Sequence, residues 1–180
     1  MLESERKFTD DLVLVYYYHP DCEPLKNIMR QDRPAAFSMA GMMAKDHPET
    51  TAFYRFADFE NYYDLRLAQD ACLFANFAAL GGEPEEMHPL SFVVEGSQDL
   101  HKWFGEGGEV HLPMNVIEPR HISFTIGDSG TEFQRNGSVQ MLTLEQLNGK
   151  IAEFGGDFEA FRKSTGRNYI EAQLWSDRYL

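Results

Sequence analysis

The chain has 180 residues, 43% hydrophobic and 13% aromatic, which is enough to bury one good core and predicts a single domain over 1–180. Its formal charge of −13 repels nucleic-acid backbones and anionic membranes, and it holds no run of about 18 apolar residues, so neither a direct nucleic-acid reader nor a membrane-spanning protein is expected. The segment Met1-Leu2-Glu3-Ser4-Glu5-Arg6-Lys7 lacks the order of a signal peptide, and Cys22 and Cys72 are too few for a disulfide framework, which predicts a cytoplasmic protein with reduced thiols.

In chain order, Leu12-Val13-Leu14-Val15-Tyr16-Tyr17-Tyr18 is a dense run of β formers and predicts a strand, with the imidazole of His19 at its exit. Residues 23–31 read as a short helix, with Pro24 in its first turn and Leu25, Ile28 and Met29 on one side. Residues 33–50 hold Pro34, Gly41 and Pro48 and are the least regular stretch. Met39, Met42 and Met43 within it read as gap-filling core, with a mobile lip over a pocket as the alternative. From 50 to 80, Phe53, Phe56, Phe59, Tyr63, Leu67, Ala71, Phe74 and Phe77 recur at three- and four-residue steps. They predict a long helix with a buried aromatic stripe, stopped by Gly81-Gly82.

The second half predicts strands at 90–94, 110–112, 122–126, 131–134 and 138–142, with Asn136-Gly137 as a tight type I′ hairpin between the last two. Ser97 caps a helix through Phe104, and Thr143 with Gln146 forms a capping box for a helix through Phe154. Residues 157–164 add a short helix, and 169–175 ends the chain as a strand. The expected class is α+β, a mostly antiparallel sheet packed against one long aromatic-rich helix.

Several local patterns point to chemistry. Gly127-Asp128-Ser129-Gly130 matches the tetrapeptide around some serine nucleophiles, but no His follows Ser129 and no partner segment accompanies it, so a turn between strands is expected. His19, His47, His88, His101, His111 and His121 lack metal-ligand spacing; His19 with Cys22 is the only close pair, and no metal is expected. His47 and His88 each precede a proline and read as exposed loop residues. Gly105-Glu106-Gly107-Gly108 lacks the lysine of a phosphate loop and is flanked by repelling acids, which leaves a flexible turn. In strand 169–175, alternation puts Glu171, Gln173 and Trp175 on one face and Ile170, Ala172 and Leu174 on the other. A carboxylate beside an amide there can orient a ribose hydroxyl or stabilise an oxocarbenium-like centre; an ordinary half-exposed strand is the alternative.

His19 at a strand exit, the Leu25/Ile28 segment after it, a middle bearing Tyr54, Tyr62 and Tyr63, and Glu171 in a late strand resemble the layout of ADP-ribosyltransferase-like proteins of the His–Tyr–Glu type. The resemblance is one of order and spacing over most of the chain. It implies NAD as cofactor, His19 as a contact to the NAD ribose, Tyr54 or Tyr63 as the aromatic against the nicotinamide, and Glu171 as the catalytic group at the N-glycosidic bond. Pro20-Asp21 stand where that family has a small residue and Thr, and Arg30, Arg33 or Arg55 would have to offset the negative field around a pyrophosphate.

Two functions are therefore expected as alternatives. One is an NAD-binding ADP-ribosyltransferase-like protein acting on a small-molecule nucleotide. The other is a non-enzymatic acidic interaction or inhibitor protein, for example phage- or toxin-related, whose exposed aromatics and carboxylates bind a basic protein partner.

Overall fold

The tyrosine-rich run forms strand β1 (Val13–Tyr18), which pairs antiparallel on both sides, with β2 (Leu90–Val94) and with β3 (Gly108–Pro113). The computed structural model describes residues 7–49 and 51–180. The reading of the first six residues as no signal peptide, and of Thr50 as the start of the long helix, therefore lies outside the described residues. β6 (Ile170–Leu174) pairs with β2 and with β4 (Ile122–Ile126), and the two-residue β5 (Leu142–Thr143) follows β4. The order is β3-β1-β2-β6-β4-β5, every neighbouring pair antiparallel.

Alternation gives the sheet two faces. On one, Leu14, Phe92, Leu112, Phe124, Ala172 and Leu174 join the main core with helices α5 (Leu144–Ala152) and α6 (Phe158–Ser164). On the other, Val15, Tyr17 and Val93 pack with Leu100 of α3 (Gln98–Trp103), and Trp175 packs with Leu73 and Phe77 of α2 (Phe59–Ala79). The protein is thus an α+β domain, as its sequence predicts, with α2 on the sheet and further helices covering the opposite face. Because β6 is central and covered on both faces, all five of its residues are buried, and the half-exposed alternative does not form. No helix of the described residues is long and apolar enough to cross a membrane.

Four segments depart from expectation, each for a local reason. In 23–31 only Ile28–Arg30 is helical, as one 3₁₀ turn; Leu25 sits at φ +58° and the Asn27 side chain accepts from Met29 N–H, so no α-helix propagates. Irregular 33–50 is instead mostly α1 (Arg33–Asp46), because Asp32 caps Ala35 N–H and Pro34 lies where a first turn needs no donor. Its methionines do not fill the core: Met39 and Met43 are half-buried and Met42 is exposed.

The long helix divides into a 3₁₀ stretch, Thr51–Asp58, and α2. Its buried face runs through Phe59, Tyr63, Asp70, Leu73 and Phe77, while Leu67 and Ala71 are exposed. Repeated four-residue steps drift about 40° each around a 3.6-residue helix, so that apolar stripe leaves the core. Finally, the expected strand 131–134 and its hairpin are replaced by helix α4 (Ser129–Asn136), and of the strand expected over 138–142 only Leu142 is in a strand, as part of β5. Asp128 caps its start by accepting from Gly130 and Thr131 N–H, and Gly137, at φ +68°, is its left-handed C-cap.

Candidate functional site

His19 leaves β1 into a tight turn. Its Nδ1 accepts the Asp21 N–H at 3.1 Å, and its carbonyl accepts the Cys22 N–H at 2.9 Å. The other ring edge lies against Gly105, where an added Cβ would stand 3.0 Å from Cδ2 and 3.3 Å from Nε2. The glycine run at 105–108 is therefore a matter of close approach: side chains at 107 and 108 would collide with the Tyr18 carbonyl and ring.

His47 follows α1 and brings its ring centroid to 4.9 Å from that of His19, with Phe53 at 5.2 and 5.6 Å from the two imidazoles. Asp21 Oδ2 lies 3.3 Å from His47 Nε2. His47 is thus a wall of an aromatic nest rather than an exposed loop residue, with 21% of its side chain accessible. The expectation for His88 changes likewise: its Nδ1 meets Oδ2 of buried Asp70 at 2.7 Å, and the same oxygen takes Arg66 at 3.4 Å. Burial, with a smaller push from Asp21, raises the Cys22 thiol pKa, which disfavours a nucleophilic thiolate there.

The two tyrosines part company. Tyr54 is exposed beside the nest; its hydroxyl accepts from Arg55 Nε, and its ring meets Trp103 edge-on at 5.9 Å. Tyr63 is buried with Phe37 and Phe59 and carries the Arg33 guanidinium 5.1 Å from its ring centroid. Arg30 is committed to Asp177 and the His88 carbonyl.

Glu171 ends a buried polar chain. Trp175 Nε1–H donates to Ser123 Oγ, Ser123 donates to Gln173 Oε1, and the Gln173 amide donates to Thr125 Oγ1 and Glu171 Oε1. Ser129 completes the carboxylate through its N–H at 3.0 Å and its hydroxyl at 2.8 Å, while Gln69 of α2 donates to Ser129 Oγ. Burial, then the charge of Asp128, pushes the Glu171 carboxyl above its usual range against these hydrogen bonds. Tyr169 beside it is raised by the same causes, burial first and then Asp128 and Glu171. Ser129 is thus a hydrogen-bond donor at a helix start, not a residue of a turn between two strands.

The strand register separates these two places. Val15 lies opposite Val93, and Val93 opposite Glu171, so Glu171 is two strands from Val15 while His19 is four residues beyond it. Strand spacings put the two α-carbons about 16 Å apart. The structure brings His19 to Asp21, His47 and Phe53, and Glu171 to Ser129 and Gln173. It does not bring His19 to Glu171. Spacing in the sequence places Asp21 near His19 and Gln173 beside Glu171, but it carries no signal for the other members, since His19 and His47 meet only through the direction of α1, and Glu171 and Ser129 only across β4 and β6.

No family model, no curated protein and no solved structure matches this chain.

Proposed function

We propose that the protein is a binding module for a basic protein segment, seated on the Tyr54–Trp103 pair. The observation that carries this reading is the pair itself: two large aromatics from separate elements touch edge-on while 54% and 39% exposed. Aromatic rings of this kind anchor interfaces and take Arg or Lys side chains on their faces. Exposed Asp99 stands one helical turn before Trp103 on α3 and exposed Glu106 follows it closely in the chain, while Arg55 already holds its guanidinium 5.3 Å from the Tyr54 ring centroid, so a partner's cation falls to Trp103. The whole-chain charge of −13 would speed encounter with a cationic partner. The NAD reading asks more of the geometry, because it needs His19 and Glu171 at one ribose.

The test uses a dye-labelled synthetic arginine- and lysine-rich peptide, whose fluorescence anisotropy reports binding to the wild type and to every variant alike. Saturable binding, weakened about tenfold or more by Trp103→Ala and by Tyr54→Ala, is the expected result. Binding unchanged by both substitutions would reduce the interaction to diffuse charge and overturn the assigned surface. A melting temperature raised by NAD or ADP-ribose, with the rise lost in His19→Ala, would favour the nucleotide reading instead.

A further inference from the structure

We propose that His19, Asp21 and His47 form a divalent transition-metal site, with zinc(II) as the ion they suit best. Each of the three offers a ligand atom, and these atoms lie within 4.8 Å of one another. This site is independent of the peptide-binding surface and needs no partner.

Three observations carry it. First, the spacing is already close to that of a metal polyhedron. Bonds of about 2.1 Å in tetrahedral geometry place neighbouring ligand atoms about 3.4 Å apart, and Asp21 Oδ2 stands 3.3 Å from His47 Nε2. Drawing in the third vertex from within 4.8 Å takes a shift of up to about 1.4 Å, and the 61% exposed Asp21 side chain has room to make it.

Second, the rings are held for the task. Phe53 packs against both imidazoles, so ordering them is largely done before an ion arrives. The Cδ2–Nε2 edge of His19 faces Gly105, which leaves Nδ1 on the Asp21 side. The ligating set is therefore His19 Nδ1, Asp21 Oδ2 and His47 Nε2, and an ion would take over the Nδ1 lone pair that accepts the Asp21 N–H.

Third, the donor chemistry is selective. Two imidazoles with one carboxylate suit zinc and its neighbours, whereas calcium and magnesium favour all-oxygen shells. Three protein ligands leave at least one coordination position for water or a ligand, on the solvent side where Asp21 is exposed. The negative field of the whole chain adds attraction for any cation.

The experiment is a zinc competition titration against a chelating dye on the tag-free full chain, near pH 7. One ion per chain should bind, release protons in a buffer-dependent heat, and raise the melting temperature. Asp21→Asn and His47→Ala should each weaken binding at least tenfold, the lower end of what losing even a group that only supports a metal ligand costs. His111→Ala, which removes the exposed pair with Glu109, should change nothing. Should His47→Ala fail to fold, exposed Asp21→Asn alone decides the matter, with its metal-free melting temperature as the control. Affinity unchanged in Asp21→Asn, or zinc bound no more tightly than to His111 and Glu109, would overturn the proposal.

Discussion

Glu171 receives three donated hydrogen bonds with only 6% of its surface exposed. Those bonds favour its charge, but the loss of water and the nearby Asp128 outweigh them, so its folded-state pKa lies above the unfolded value. A group with a raised folded pKa holds its proton more tightly when folded. Its contribution to stability is then complete below the ordinary carboxylate range, about 4.3 for Glu, and is lost as pH rises through the folded value. Urea unfolding measured across that window should show this slope in the wild type and not in Glu171→Gln. The neutral variant pays about 1–3 kcal/mol below the window, because its amide N–H groups face the donors from Ser129 or Gln173. Asp128→Asn keeps an oxygen to cap α4 and removes the charge, so it should flatten the slope without abolishing it. An identical slope in wild type and Glu171→Gln would assign the pH dependence to other groups.

Gly137 shows how one residue serves two incompatible elements. Asn-Gly between apolar runs signals a hairpin, and a left-handed glycine after a helix signals a C-cap; here the cap forms, with Gly137 N–H donating to the Phe133 carbonyl. A type I′ turn would need φ above zero at Asn136 as well, and Asn136 is not among the positive-φ residues. Nothing lies within 4 Å of an added Cβ at 137, so Gly137→Ala tests the backbone alone and should cost about 1 kcal/mol by thermal or urea unfolding. Asn136→Ala should stay within about 0.5 kcal/mol, since its exposed side chain donates to half-buried Glu132 one turn back on the same helix. Equal losses at both positions would count against the cap. The same element-level logic explains what the sequence made legible. β1 and β2 are dense runs of β formers, β4 and β6 alternate apolar with polar residues, and α3 and α5 carry their caps in Ser97 and the Thr143/Gln146 box. α1 and α4 were hidden because their start signals, Asp32-Arg33-Pro34 and Asp128-Ser129, also read as turns. The buried face of α2 was only partly visible, since Gln69 and Asp70 are interior yet polar and no apolar pattern marks them. Each candidate site could be read only in part: Asp21 and Gln173 lie two residues from His19 and Glu171, whereas His47 and Ser129 arrive by tertiary packing.

At the scale of the molecule, 29 acidic residues face 16 basic ones. Several of the arginines are already committed within the fold: Arg30 to Asp177, Arg66 to Asp70, Arg120 to Glu118 and Glu83, Arg162 to Glu159, and Arg178 to Glu85. Two of these pairs tie the C-terminal residues Asp177 and Arg178 to earlier segments. Local pairing therefore coexists with a large excess of carboxylates, whose mutual repulsion opposes the compact state. Sodium chloride shortens the screening length from about 10 Å at 0.1 M to about 3 Å at 1 M, which weakens that repulsion more than it weakens close pairs. The fold should accordingly become more stable to thermal unfolding as salt rises over that range. The proposed complex with a basic peptide should respond with the opposite sign, losing affinity over the same range because its attraction is long-ranged. Measuring both on one sample separates the two effects. A fold destabilised by salt would mean that the ion pairs, not the excess charge, govern its electrostatics, and peptide binding indifferent to salt would remove charge complementarity from the interface.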